Sequence, residues 1–234
     1  MIGKYVSVLS CLCIAVLLLA TFCAPTIAET LFSEDFSRGA DRWEPGSGDW
    51  VVKDGAYVQT TTDFFTASWL KKEHWDDAWT EYTLELRAKK LDGAEGFSIV
   101  FGIRQDNTPV VKDDRKDFFD FLVAGWTNTR TLIRKIEGGT WTDFPHLNHS
   151  VEPDKWYDVK VEVTPQSVVC YLDGEKMVEQ AEGPPSGRIG LMLLGTSSAF
   201  DDIVVYDAGG PSIAVLPMEK LTTCWGDMRS LEAW

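Results

Sequence analysis

The 234 residues hold 36 Asp and Glu against 22 Lys and Arg, a formal charge of −14. That surplus argues against nucleic acid and anionic membrane surfaces as partners, and favours solubility. It also weighs against anionic glycans as ligands, unless Ca2+ or a local Arg cluster intervenes.

Residues 1–28 read as a secretory signal peptide. Lys4 supplies the positive start, residues 6–22 form an apolar run, and Thr26-Ile27-Ala28 places small residues at the outer cleavage positions. A transmembrane anchor is the competing reading, but the run is short for a span of about 20 residues and no charged stop signal follows it. The expected location is therefore secreted or cell-surface, with no membrane span after leader removal. Cleavage would take Cys11, Cys13 and Cys23 and leave Cys170 and Cys224, too few for a disulfide-framed scaffold. Cys170, in SVVCYLDG, reads as a buried thiol, with a Cys170–Cys224 bridge as the alternative.

Beyond the leader, strand follows strand. Lys53-Asp54-Gly55-Ala56 is a hairpin turn. Residues 80–89 alternate, with Tyr82, Leu84, Leu86 and Ala88 on one face and Thr83, Glu85 and Arg87 on the other. Two apolar strands follow, within residues 95–135, joined by a polar loop. Residues 155–164 alternate again, with Tyr157, Val159, Val161 and Val163 inward. Asp173-Gly174 marks a second hairpin, and residues 188–194 and 200–206 complete the set. No amphipathic helix is predicted. The fold class that follows is all-β: a two-sheet antiparallel jelly-roll sandwich over residues 29–208. Residues 209–234, with Trp225 and Trp234, form a tail that packs back on the domain, serves as a sorting or attachment segment, or stays disordered.

The chemistry concentrates where the strand FFDFLVA runs out into Gly125-Trp126-Thr127-Asn128-Thr129-Arg130. A sugar presents an apolar C–H face and a rim of hydroxyls, so an aromatic ring beside amide, hydroxyl and guanidinium groups suits it. Trp126, Asn128, Thr129 and Arg130 are the primary ligand-binding candidates. Trp141, Trp69 and Trp79 are further platforms, each with core filling as the competing role. Trp43, Trp50 and Trp156 read as core. The expected partner is a poly- or oligosaccharide.

The order GDWVVKDGAY, EGFSIVFGIRQDN, AGWTNTRTLIRK, DKWYDVKVEV, VVCYLDGEKMVE and GRIGLMLLGTSSAFDDIVVY resembles the concanavalin A-like, laminin-G-like jelly-roll modules. It is most similar to the non-catalytic sandwich module of family 51 α-L-arabinofuranosidases, and more loosely to 3-keto-disaccharide hydrolase-type domains. The resemblance spans residues 31–207 and implies the sandwich fold. Its functional implication is weaker, because this fold hosts lectins, binding modules and hydrolases alike. The chain departs from the arabinofuranosidase type in carrying no catalytic barrel and in a longer loop at residues 106–117.

Two other chemistries are open. Glu34 and Asp35 on the first strand, with Asp201 and Asp202 on the last, would form a structural Ca2+ site if those strands are neighbours. His146 and His149 lack a third ligand at zinc spacing and read as loop residues. For glycoside hydrolysis, which needs two carboxyl groups about 5–10 Å apart, Glu95 and Asp120 are the weak candidates. A non-catalytic adhesive or structural surface protein is the remaining alternative.

Overall fold

Alternation in the sequence becomes two faces in space. A computed structural model describes residues 29–104 and 117–207, most of them in antiparallel strands. The leader, residues 105–116 and the tail, with Cys224, lie outside the described residues. The strands are β1 (Thr30–Glu34), β2 (Trp43–Ser47), β3 (Trp50–Lys53), β4 (Ala56–Gln59), β5 (Phe64–Leu70), β6 (Tyr82–Gly93), β7 (Phe97–Ile103) and β8 (Phe118–Ala124). They continue with β9 (Arg130–Glu137), β10 (Thr140–Asp143), β11 (Leu147–Asn148), β12 (Trp156–Thr164), β13 (Ser167–Leu172), β14 (Glu175–Gln180), β15 (Arg188–Leu194) and β16 (Thr196–Asp207).

One sheet runs β14-β13-β12-β6-β16-β4-β3, with β1 also on β16. The other runs β10-β9-β8-β7-β15-β5-β2, with β11 on β9. Central neighbours such as β6 and β16 are far apart in sequence, as a jelly roll requires. No helix of the described residues is long and apolar enough to cross a membrane.

The core lies between the sheets, where each expected alternation is realised. Tyr82, Leu84, Leu86 and Ala88 of β6 meet Tyr157, Val159, Val161 and Val163 of β12 in register, and all are buried. Phe97, Ile99 and Phe101 of β7 and Phe119, Phe121 and Val123 of β8 supply the facing layer. Cys170 is fully buried in the same core, and burial pushes its thiol well above the ordinary range. Both predicted Asp-Gly hairpins form, with Asp54 at φ 53° and Asp173 at φ 49°. That left-handed backbone is what Asp and Gly tolerate.

Trp43 is in the core as expected, and Trp50 stacks on Tyr57 at its edge, rings 4.9 Å apart. Trp156 is not core. With Tyr157 inward, Trp156 points to the outer face of the first sheet, where Arg87 and Lys89 lie 5.0 and 4.8 Å from its ring centre. Trp79 packs on the main core, edge-on to Trp75 at 5.0 Å, and is not a platform. The outer face of the second sheet carries a separate apolar cluster of Ala67, Trp69, Val100, Phe118, Ile136 and Met192. Trp69 lies there across Gly190, where an added Cβ would fall 2.2 Å from the indole. It is 3% exposed and forms floor, not a stacking surface.

Candidate carbohydrate-binding site

The segment after β8 is a tight left-handed turn, Gly125–Asn128. Ala124, Trp126, Thr127 and Asn128 have φ between 47° and 61°. Left-handed backbone costs a non-glycine residue about 1 kcal/mol or more, so the surroundings must hold it. They do so with a set of hydrogen bonds. Ala124 N donates to Thr131 Oγ1 at 3.0 Å, and Thr127 N to Glu95 Oε1 at 3.0 Å. Asn128 pairs with the backbone of Val151 in both directions: Nδ2 donates to the carbonyl at 2.9 Å, and Oδ1 accepts from the amide at 3.0 Å. Thr129 Oγ1 donates to the Trp126 carbonyl at 2.7 Å.

These bonds redistribute the expected roles. Asn128 spends its amide on Val151 and clamps the turn. Thr129 fastens the turn. Arg130 lies 5.5 Å from the Trp126 ring centre and flanks it. Trp126 is what the turn displays, at 38% exposure.

Trp126 forms part of a shallow cleft of about 280 Å3, lined also by Phe65, Arg134, Trp141, Asp143 and Leu194. Register explains the gathering. β9 lies between β8 and β10, Asp120 sits opposite Arg134, and Arg134 sits opposite Asp143. Phe65, at a bulge of β5, is also left-handed, with φ 60°. Its ring is 6.0 Å from that of Trp141. The rings and Leu194 offer apolar surface, while Arg134 and Asp143 offer donors and acceptors. Sequence reasoning found Trp126 and Trp141 and missed Phe65, Arg134, Asp143 and Leu194, which five separate segments bring together only through strand register.

Arg134 is fixed from beneath. Its Nε donates to Asp120 Oδ1 at 3.0 Å, its Nη2 donates to Asp120 Oδ2, and Ser98 Oγ donates to the same oxygen. Its guanidinium carbon stands 4.7 Å from the Trp141 ring centre. A bidentate buried pair holds an arginine in one orientation. Asp120 is fully buried and fully engaged, so it has no access to a glycosidic oxygen. Glu95 accepts the Thr127 amide at the turn. Asp120 is thereby withdrawn from acid/base work, and Glu95 anchors the turn through one of its oxygens.

β1 does lie beside β16, as the calcium expectation required, with Glu34 opposite Ile203, but the four acids form no cluster. Glu34 pairs with Arg42 at 2.8 Å, and Asp35 accepts from Ser37 Oγ at 2.7 Å, which with the Ser37 amide holds its carboxyl below the usual value. Asp201 and Asp202 both face Arg87, at 2.9 and 2.8 Å. Burial raises Asp201 despite that partner. Among the described residues no three His, Cys, Asp or Glu side chains come together. Glu34 has Arg42, Asp201 and Asp202 share Arg87, and Asp35 is held by Ser37. His146 is exposed, and His149 Nδ1 lies 3.5 Å from Thr131 Oγ1.

Residues 28–206 match the 3-keto-alpha-glucoside-1,2-lyase-like domain. The chain belongs to that family. An extracellular exo-α-L-arabinofuranosidase of Streptomyces chartreusis is 34% identical over 149 residues, 63% of this chain and 16% of that protein. The chain thus spans only a small part of that relative's length. Among solved structures, the carbohydrate-binding module CBM66 of Bacillus subtilis superposes with a TM-score of 0.55 at 14% identity, over 69% of this chain and 93% of that one. Domain 4 of AbnA, a GH43 extracellular arabinanase of Geobacillus stearothermophilus in complex with arabinotriose, does so with a TM-score of 0.53 at 14% identity, over 77% and 93%. At such identities these likenesses establish the sandwich and nothing finer.

Proposed function

We propose that this family member is a secreted, non-catalytic carbohydrate-binding module that takes a neutral oligosaccharide in the Trp126–Trp141 cleft. The observation that carries it is the convergence of Phe65, Trp126 and Trp141 around an arginine fixed from below. The rings stack on the C–H faces of a sugar, Arg134 donates to its hydroxyl oxygens, and Asp143 accepts from its hydroxyl protons. Strain at Phe65 and Trp126 supports the reading, because backbone outliers cluster at ligand sites. The extracellular relative supports secretion. The arabinotriose held by the arabinanase domain makes arabino-oligosaccharides the first probes. Affinity is weak, since a flexible sugar brings many hydroxyls that must be re-satisfied.

Against the hydrolase or lyase alternative stands Asp120, buried and engaged by Arg134 and Ser98. A glycan array probed with wild type and Trp126→Ala tests the proposal. Array signal lost in a folded Trp126→Ala protein is expected. Equal signal from both, or none from either, refutes it.

A further inference from the structure

The opposite outer face, on the first sheet, holds a larger groove that the Trp126 cleft does not explain. Its volume is about 450 Å3, and its floor is Ala56, Val58 and Ala199. These small side chains are 7% exposed or less although they face outward. Trp156 forms one wall, beside Lys89 of the next strand. Lys53 closes the far side at the β3–β4 hairpin, Asp54 brings one carboxylate to the rim, and Thr60 and Ser197 add hydroxyls. A volume of this size falls in the range of small-ligand sites.

The charge here runs against the rest of the molecule. In a chain with 36 acids and 22 bases, Lys155, Lys160 and Lys176 each have a carboxylate partner. Neither Lys53 nor Lys89 forms an ion pair among the described residues. Lys89 stands 4.8 Å from the Trp156 ring centre, and Arg87, on the same indole, is committed to Asp201 and Asp202. Two lysines without an ion pair among the described residues therefore share one groove with an indole and a single carboxylate, Asp54. β3 and β6 are three strand spacings apart in the sheet order, which sets the two lysines about 14 Å apart across the sheet. From β3 to β12 the groove spans about 19 Å. Charges so separated suit an anion repeated along a polymer better than one compact anion. An indole wall and hydroxyl-bearing rim suit sugar rings between the charges.

We propose that this groove is a second carbohydrate site, selective for an acidic polysaccharide whose uronic-acid carboxylates meet Lys53 and Lys89 while a ring packs on Trp156. The local lysine pair supplies the exception that the overall acidic charge demands. Salt screens the long-range repulsion, with a Debye length of about 8 Å at physiological ionic strength.

The test is calorimetric titration of the full-length Trp126→Ala protein, in which the other cleft is disabled, with tetragalacturonate and with the same tetrasaccharide after its carboxyl groups are reduced to alcohols. Tetragalacturonate is expected to bind, and the reduced form to bind about fivefold more weakly or worse. Trp156→Ala is expected to weaken tetragalacturonate about tenfold, and the double variant Lys53→Gln/Lys89→Gln at least fivefold. Trp156→Ala and the lysine variant are introduced into that same Trp126→Ala protein, so loss of the other cleft and loss of this groove read out separately. Absent binding, equal binding of the reduced tetrasaccharide, or undiminished affinity in the double lysine variant overturns the proposal. Should Trp156→Ala fail to fold, the lysine variant decides, because both side chains reach solvent and it keeps the indole.

Discussion

Replacing Asp120 by Asn is the most informative single change, because it touches both the fold and the cleft. The Asp120 side chain is 0% exposed and that of Arg134 6%. Asn keeps the volume but removes the charge and one acceptor, leaving a guanidinium buried without its counterion. Breaking a buried pair from one side costs about 3–5 kcal/mol. For a domain of this size, each kcal/mol lowers Tm by about 2–4 °C, so the fall is about 6–20 °C. The companion double variant Asp120→Leu/Arg134→Met removes both charges and fills the space with apolar atoms. Such replacements are often neutral or better, so its Tm returns to within a few degrees of wild type. Its glycan binding does not return, because the arginine donors are gone. Scanning calorimetry and the array read the two effects apart. Wild-type Tm in Asp120→Asn refutes the buried-pair account. Wild-type binding in the double variant refutes the role of Arg134.

Four further outcomes follow from the same geometry. Trp126→Ala stays within about 1 kcal/mol of wild type in denaturant titration, since the ring is largely outside the core and its stacking is lost without a cavity. Asn128→Ala loses two hydrogen bonds to Val151 and costs about 2 kcal/mol, and the loosened turn weakens glycan binding along with stability. Burial lowers the His149 pKa despite Glu175 and Asp173 nearby, so the unfolded chain takes up a proton near pH 6.5 more readily than the folded one. His149 therefore favours folding above that pH and loses the benefit as pH falls. The drop in Tm between pH 7.5 and 5.5 is expected to be smaller in His149→Gln than in wild type. Adding a chelator leaves Tm unchanged, because Glu34, Asp201 and Asp202 already face Arg42 or Arg87 and Asp35 is held by Ser37; a downward shift would restore the calcium site.

The sandwich was legible because alternation is local. Tyr82 to Ala88 and Tyr157 to Val163 announce their buried faces within ten residues each, and Asp-Gly marks two turns by its own backbone preference. The same rule also held the placement of Trp156: an inward Tyr157 requires an outward Trp156, yet the weight of an aromatic residue suggested core. The cleft was legible only in part. Trp126 stood out as an aromatic residue at a strand exit, but its left-handed backbone depends on contacts with Glu95, Thr131 and Val151. Asp120 looked like an acid among aromatics until register set Arg134 opposite it. Ion pairing across strands has no signature in the sequence of either strand alone.

The most direct test of the central claim is nuclear magnetic resonance of the labelled protein titrated with the strongest neutral ligand from the array. The largest shifts are expected at the indole N–H groups of Trp126 and Trp141 and at the amides of residues 127–130. Shifts confined to other surfaces, or none at saturating ligand, would contradict a carbohydrate site in that cleft.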